Sequence, residues 1–268
     1  MIKLTRRGTI GLGLGAFFAL ASASTALAAD TIKIGYPANL TGIQASLDGP
    51  MLNGAKLAAS EINAAGGVLG QQIELVIYDS KSDSTTISTV ASQLIDSDKV
   101  VGIIGFADSD SVLAIGPQVQ TAQIPFITPG ATSPKLPSQL GNEIFLAAFG
   151  DNVQAAVGAE FALNKLNGKT AYLLTDIGTE YTTLLSDYFV TAYEHGGGKI
   201  LERDTYKIGD KTFTAQIAKL KALSPQPDFV YASSNAEEIG LILKQMRQAG
   251  INLPVVAADL DQQGRVVA

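Results

Sequence analysis

Two short turns rich in hydroxyl groups and small side chains follow two apolar runs within residues 102–136. The first turn is Ala107-Asp108-Ser109 and the second is Pro129-Gly130-Ala131-Thr132-Ser133. In an open parallel sheet, ligands bind beyond the carboxyl ends of the strands, where free backbone N–H groups and helix N-termini converge. The two turns therefore predict a site for a small anion such as a carboxylate. Neither turn resembles a site that performs chemistry.

The elements that position these turns alternate between β-type runs and amphipathic helical patterns. This βαβα order is typical of an α/β fold in which helices cover both faces of a parallel sheet. The predicted strands are residues 32–36, 73–79, 100–105, 125–128, 170–175, 199–206, 229–232 and 254–257. After the proline- and glycine-rich segment 129–141, residues 144–149 are predicted as a crossing strand, and Asn152 as the cap of the next helix. We expect two lobes with a cleft between them, lobe 1 at 30–149 and lobe 2 at 150–268.

The N-terminal 29 residues have the pattern of an export signal. They contain Lys3, Arg6 and Arg7, an apolar run at 10–21, and the cleavage pattern Ala26-Leu27-Ala28. The apolar run is too short to span a bilayer, so we expect cleavage near Ala28 or Ala29 and a periplasmic location. Thr9 stands where a twin-arginine signal has a large apolar residue, and both the general secretory and the twin-arginine routes remain open.

Composition excludes several classes of partner. The formal net charge is −6, and removal of the signal leaves 16 basic against 25 acidic side chains, a net charge of about −9. Nucleic acid and anionic membranes are therefore not expected as partners. The chain has no cysteine, which excludes disulfides and thiolate metal sites, and its single histidine, His195, is expected at an exposed helix end. No metal or cofactor is predicted.

The sequence resembles the periplasmic substrate-binding proteins of branched-chain amino-acid (Leu/Ile/Val-type) ABC transporters, which are type I periplasmic binding proteins. The likeness is carried in order by IKIGYPANLTG, GAKLAASEINAAGGVLG, the segment 102–136, LLTDIGTEY and PDFVYASSNAEEIGLILKQMRQAGI. It implies two Rossmann-like lobes that close on a small ligand by hinge bending and deliver it to a membrane permease. It also implies a monomer without catalytic activity.

The resemblance also assigns ligand contacts in lobe 1. Ser109 matches the serine that binds the ligand carboxylate at a helix N-terminus, and Asp110 or Ser111 would replace it if the register differs. Gly130, Ala131 and Thr132 match the small residues and threonine that face the ligand's amino and carboxylate groups. A hydroxyl that only closes its own turn is the alternative for Thr132.

In lobe 2 the resemblance assigns an aromatic residue to Tyr181 and an acidic residue to Asp259. Tyr181 would cap the ligand, or alternatively only pack on the following helix. Asp259 would pair with the ligand ammonium, with Asp261 as a competing position and a solvated turn as the alternative for both. A second aromatic of the family has no counterpart, because Ser234 and Asn235 occupy that turn, so a more open or more polar pocket is expected there.

Family members continue well beyond the point where this sequence stops. A fragment, a premature stop or a frameshift would each account for the difference, and we expect exposed apolar faces and poor solubility or weak binding relative to a longer chain.

Two other functions are compatible with Rossmann-like lobes. An exported ligand sensor would use the same closing lobes. A Rossmann-like enzyme is disfavoured, because Gly168-Lys169-Thr170 lacks the first glycine of a P-loop and no G-x-S-x-G motif is present. The expected ligand is an amino acid with an apolar side chain, although amides, urea and aromatic acids remain open.

Overall fold

A five-stranded parallel sheet forms the centre of lobe 1 in the computed structural model, which describes residues 31–259. Its strands are β1 (Ile32–Ala38), β2 (Ile73–Asp79), β3 (Gly102–Ile104), β4 (Phe126–Thr128) and β5 (Ile144–Leu146), in the spatial order β2-β1-β3-β4-β5. The helices are α1 (Ala45–Ala64), α2 (Ser84–Ser92), which runs into a π-helical turn at Gln93–Ser97, α3 (Ser109–Ala122) and α4 (Leu136–Leu140). Ile103 and Phe126 are buried, as expected for short parallel strands covered on both faces.

A four-stranded parallel sheet forms the centre of lobe 2. Its strands are β6 (Thr170–Asp176), β7 (Lys199–Tyr206), β8 (Phe229–Ser233) and β9 (Val255–Ala257), in the order β7-β6-β8-β9. The helices are α5 (Asp151–Asn164), α6 (Glu180–His195), α7 (Thr214–Ala222) and α8 (Ala236–Gln248). Phe189 stacks on Tyr193 and Tyr231, and these rings fill the core between α6 and β8. The predicted α/β fold with two parallel sheets is thus confirmed.

All eight predicted strands are present, with ends within two residues of the predicted ones. The ninth strand, β5, was expected to cross between the lobes, and this prediction is wrong. It pairs in parallel with β4 at the edge of the first sheet, with Phe126 opposite Ile144. A three-residue apolar run identifies a strand but carries no information on its partner. His195 ends α6 and is exposed, as predicted.

The predicted cap at Asn152 is also wrong. Gly150 takes the N-cap position of α5 with an extended backbone, and no side chain caps this helix end. Asp151 instead begins the helix and is fully buried. The signal at residues 1–29 and the competing position Asp261 lie outside the described residues. Within residues 31–259, no helix is long and apolar enough to cross a membrane.

Helix α5 buries one side and exposes the other. Ala155, Ala159 and Ala162 pack into the core of lobe 2, whereas Val157 is 62% exposed and Phe149, just before the helix, is 58% exposed. The exposed side borders an apolar cavity of about 520 Å³ beside β9. The expected exposure of apolar surface is therefore present at this face.

Candidate functional site

Ser109 occupies the first position of α3, directly beyond the carboxyl end of β3. The side chain of Asp108 caps the helix by accepting a hydrogen bond from the N–H of Ser111 at 2.8 Å. The Ser109 hydroxyl is buried and its oxygen accepts the N–H of Ser133 at 3.2 Å. A hydroxyl that accepts one hydrogen bond still has its own proton to donate. Ser109 therefore joins the two strand-end turns and keeps one donor for an anion.

The loop after β4 is closed by Thr128 rather than by Thr132. The Thr128 hydroxyl donates to the carbonyl oxygen of Phe106 at 2.7 Å and accepts the N–H of Ala131 at 2.9 Å. The alternative in which the Thr132 hydroxyl closes its own turn is therefore not needed to hold this loop. Thr132 is buried, and its carbonyl oxygen accepts the N–H of Asp151 at 2.9 Å.

Gly130 permits the close approach of the two strand-end turns. A Cβ atom at this position would lie 2.6 Å from the Cε of Met51 and 3.0 Å from the Cα of Ala107. The second contact is with backbone, which cannot rotate away. A side chain at residue 130 would therefore force the β3 and β4 turns slightly apart.

Tyr181 and Asp259 form a hydrogen-bonded pair in lobe 2. The Tyr181 hydroxyl donates to Oδ1 of Asp259 at 2.6 Å. Burial, and next the negative charge of Asp259, raise the pKa of Tyr181 well above its usual value, so the phenol stays protonated. The ring also belongs to the lobe 2 core, so Tyr181 combines the packing role with a polar contact near the cleft.

Asn235 is held in place by a neighbouring carboxylate. Its amide Nδ2 donates to Oδ2 of Asp176 at 2.8 Å, while Oδ1 of Asp176 accepts the N–H groups of Gly178 and Ile208, each at 2.8 Å. Asn235 is 5% exposed. One hydrogen bond thus orients Asn235, to a carboxylate that two backbone N–H groups hold in place.

Asp151 is a buried carboxylate that the sequence did not single out. Neither of its oxygens, nor the amide of Gln154 one turn later on α5, makes a hydrogen bond among the described residues. Burial raises the pKa of Asp151 to about 7, and the charge of Asp259 adds to the shift. The nearby Thr132 hydroxyl opposes the shift without meeting the geometry of a full hydrogen bond. An unsatisfied buried carboxylate of this kind favours a cationic partner.

A second buried carboxylate, Asp48 of α1, supports the β3 turn. Its oxygens accept the N–H of Ala107 at 2.7 Å and the N–H of Asn39 at 2.5 Å. Asn39 in turn donates from Nδ2 to Asp108 at 3.1 Å. Burial, followed by the charge of Asp108, raises the pKa of Asp48 to about 7. Asp48 therefore fixes the turn that precedes Ser109, and no local sequence signal pointed to it.

The two lobes enclose a small cavity between the ends of their sheets. The cavity has a volume of about 10 Å³, and five of the seven predicted site residues line it, namely Ser109, Gly130, Thr132, Tyr181 and Asn235. Ala131 lies in the same buried loop, and Asp259 contacts the cavity only through Tyr181. The lining also includes Gln44, Ala107, Asp108, Asp110 and Thr179. Of these, Ala107 and Asp108 belong to the first predicted turn, and Asp110 is the predicted alternative to Ser109.

Besides the backbone hydrogen bond from Asp151 to Thr132, two hydrogen bonds involving side chains join the lobes. Oδ1 of Asp110 on α3 accepts the N–H of Glu180 at the start of α6 at 3.1 Å, and Nε2 of Gln139 donates to Oε1 of Glu180 at 3.4 Å. A carboxylate at a helix N-terminus is favourable because of the helix dipole. Among the described residues, no cluster of three or more His, Cys, Asp or Glu side chains could hold a metal ion.

Two α/β lobes that meet around a buried polar cavity define a two-lobed ligand-binding protein. The chain belongs to the periplasmic binding protein family, whose model matches residues 31–264. The family and the relatives below are binding proteins rather than enzymes.

Characterised relatives share this family and its fold. The chain is 34% identical over 230 residues to the leucine-, isoleucine-, valine-, threonine-, and alanine-binding protein of Pseudomonas aeruginosa, covering 86% of this chain and 61% of that protein. It is 30% identical to the Leu/Ile/Val-binding protein of Escherichia coli K12, covering 89% and 64%. A solved structure of the branched-chain amino acid transporter substrate binding protein from Streptococcus pneumoniae, in complex with isoleucine, is 32% identical, with a TM-score of 0.80 and coverage of 87% and 67%. The chain therefore spans somewhat less than two thirds of the length of the first two relatives.

Proposed function

We propose that this protein captures a small amino acid, or a related carboxylate, between its two lobes and delivers it to the permease of an ABC transporter. It would act as an exported, periplasmic monomer without a cofactor. The names of its relatives support the ligand class and the transport role. The observation that carries the proposal is the meeting of Ser109 and Thr132 of lobe 1 with Tyr181 of lobe 2 around one cavity.

The lobe 1 side of the cavity suits a carboxylate. The Ser109 hydroxyl retains a proton to donate, and the N–H groups at the start of α3 have no partners within the helix. The positive end of the helix dipole adds to the attraction for an anion. Thr132 would supply a second hydroxyl from the neighbouring turn.

Two carboxylates beside Tyr181, outside the cavity lining itself, suit an ammonium group. Asp259 and Asp151 interact electrostatically with each other, and Asp151 has no hydrogen bond of its own among the described residues. A cation beside both would favour the ionised form of Asp151, whose pKa is otherwise raised by burial and by the charge of Asp259. Tyr181 would orient Asp259 through its 2.6 Å hydrogen bond.

Binding would require the lobes to separate and close. A cavity of about 10 Å³ holds roughly one water molecule, far less than an amino acid. We propose that residues 30–149 and 150–268 move as two bodies and that the Asp110–Glu180 and Gln139–Glu180 hydrogen bonds form on closure.

Calorimetric titration of the protein tests this proposal. A panel of L-amino acids is compared with matched compounds that lack either the amino or the carboxylate group. We expect at least one amino acid to bind, and both truncated analogues of that amino acid to bind at least tenfold more weakly. Binding of none of the amino acids by a folded sample would overturn the proposal.

A further inference from the structure

The walls of the cavity between its carboxylate and ammonium sides are polar. Apart from the groups already assigned to those sides, the lining side chains are Gln44, Asp108, Asp110, Thr179 and Asn235, together with the small residues Ala107 and Gly130. Among the described lining residues, no aliphatic side chain is larger than alanine. A branched aliphatic side chain packed here would cover polar groups without satisfying them.

Three of these polar groups are placed to accept a hydrogen bond from a ligand. The Asp110 carboxylate gives one oxygen to the N–H of Glu180, and its other oxygen makes no side-chain hydrogen bond among the described residues. The side-chain amide of Gln44 makes none either, since only its backbone groups are engaged. Asn235 uses Nδ2 to contact Asp176, which leaves its amide oxygen as an acceptor.

A second cavity, of about 320 Å³, adjoins this wall. It shares Gln44, Asp108, Asp110 and Thr179 with the first cavity. It adds the isoleucines Ile43, Ile87 and Ile208 and hydroxyl groups from Ser82, Ser84 and Ser111. Isoleucines beside carboxylates and hydroxyls suit a side chain with an apolar stem and a polar end.

We infer that the preferred ligand is an amino acid whose side chain ends in hydrogen-bond donors, an amide or a cationic group, rather than Leu, Ile or Val. This rests on the proposed function and specifies its ligand. The side chain would run from the main cavity past Gln44 and Asp110 into the adjoining one. A site that hydrogen-bonds a side chain rejects analogues lacking those donors far more strongly than an apolar pocket rejects a missing methylene.

The test is calorimetric titration of the full chain with L-arginine, L-lysine, L-glutamine and L-leucine. We expect at least one of the first three to bind more than tenfold more tightly than L-leucine. Tighter binding of arginine or lysine than of glutamine would indicate that the preferred side chain ends in a cationic group. The reverse order would indicate an amide. Retention of the melting temperature establishes that each variant below is folded.

Two variants locate the preference in the wall. Gln44→Leu removes an acceptor and adds an aliphatic group, so we expect the ratio of polar-ligand to leucine affinity to fall at least fivefold. Asp110→Asn removes a charge and should lower the affinity for arginine or lysine more than that for glutamine. Gln248→Leu and Asp96→Asn, at exposed positions outside both cavities, serve as matched controls and should leave the ratios unchanged.

The outcomes separate this inference from the proposed function. Tighter binding of L-leucine than of all three polar amino acids would overturn the inference and leave the proposed function standing. Unchanged ratios in Gln44→Leu and Asp110→Asn would also overturn it. Binding of no amino acid by the folded chain would overturn both.

Discussion

Ser109 begins α3 just after the end of β3, and its hydroxyl contacts the turn after β4. Its hydroxyl oxygen accepts the N–H of Ser133, and its proton is free to bind an anion. Ser109→Ala should weaken amino-acid binding by about 1–3 kcal/mol, which is roughly 5- to 150-fold in the dissociation constant.

Ser60→Ala, at an exposed position on α1, is the matched control for Ser109→Ala and should bind like the parent protein. Titration calorimetry measures both variants. An unchanged affinity in Ser109→Ala would place the carboxylate elsewhere in the cleft.

At Asp151, the change that should stabilise the folded protein should also weaken ligand binding. Its pKa is raised from 3.8 to about 7 by burial, so the neutral acid is the favoured form in the folded state. The stability that this neutral form confers is complete below about pH 4 and is lost as the pH rises to about 7, at up to about 1.4 kcal/mol per pH unit. Asp151→Asn, which has no charge, should therefore melt at a higher temperature than the parent protein at pH 8. This advantage should shrink at pH 5.

The same Asp151→Asn variant should bind amino acids more weakly, because one carboxylate on the ammonium side is lost. Asp187→Asn, exposed on α6, is the control for both measurements. A melting-temperature difference equal at pH 5 and pH 8 would contradict the assignment of the charge penalty to Asp151.

The sequence predicted Ser109, Gly130 and Thr132 as site residues because small and hydroxyl-bearing residues that follow apolar runs form a recognisable local pattern. Asp151 and Asp48 have no such pattern. An acidic residue in the first turn of a helix is ordinarily an exposed partner of the helix dipole, and only tertiary packing buries these two. The resemblance indicated a more polar turn at Asn235, but the contribution of Gln44 and Thr179 was not predicted, because no local pattern shows which way a loop side chain faces.

At the scale of elements, the site depends on how closely the β3 and β4 turns approach. Gly130→Ala would place a methyl group 3.0 Å from the Cα of Ala107, so one turn must move. We expect a loss of about 1–3 kcal/mol in the free energy of unfolding and weaker ligand binding. Chemical denaturation and calorimetry measure these two effects.

Gly54→Ala is the matched control, because a Cβ at this position in α1 meets no atom within 4 Å. The change should raise the free energy of unfolding by about 0.5–1 kcal/mol, since alanine favours the helix. If Gly130→Ala and Gly54→Ala changed the free energy of unfolding equally, the close approach of the β3 and β4 turns would not require glycine at residue 130.

The elements themselves were largely predictable, because most strands are apolar runs bounded by turn residues. The two wrong predictions concern the strand that pairs with β5 and the residue that caps α5. For β5, the residues Ile144-Phe145-Leu146 suit any sheet edge, and the structure pairs them with β4. At α5, Gly150 ends the preceding loop and no side-chain cap forms.

At the scale of the whole molecule, the sequence predicted two α/β lobes. It did not predict how closely the two lobes approach each other. Side chains of α3 and α4 form hydrogen bonds to the start of α6, and the N–H of Asp151 donates to the carbonyl oxygen of Thr132. The two bonds that involve Glu180 must break when the lobes separate to admit a ligand.

Distance measurement between spin labels tests this motion, and the absence of native cysteine allows selective labelling. Cysteines introduced at the exposed positions Ser138 in lobe 1 and Thr183 in lobe 2 report on the cleft. We expect a broad distance distribution without ligand and a narrower, shorter one at a saturating concentration of the amino acid that binds most tightly, because the ligand contacts both lobes and favours the closed arrangement. A pair within lobe 1, Ser60→Cys with Ser138→Cys, should not change. Identical cleft distributions with and without bound ligand would mean that capture occurs without closure, and the division into two moving bodies near residue 150 would then be wrong.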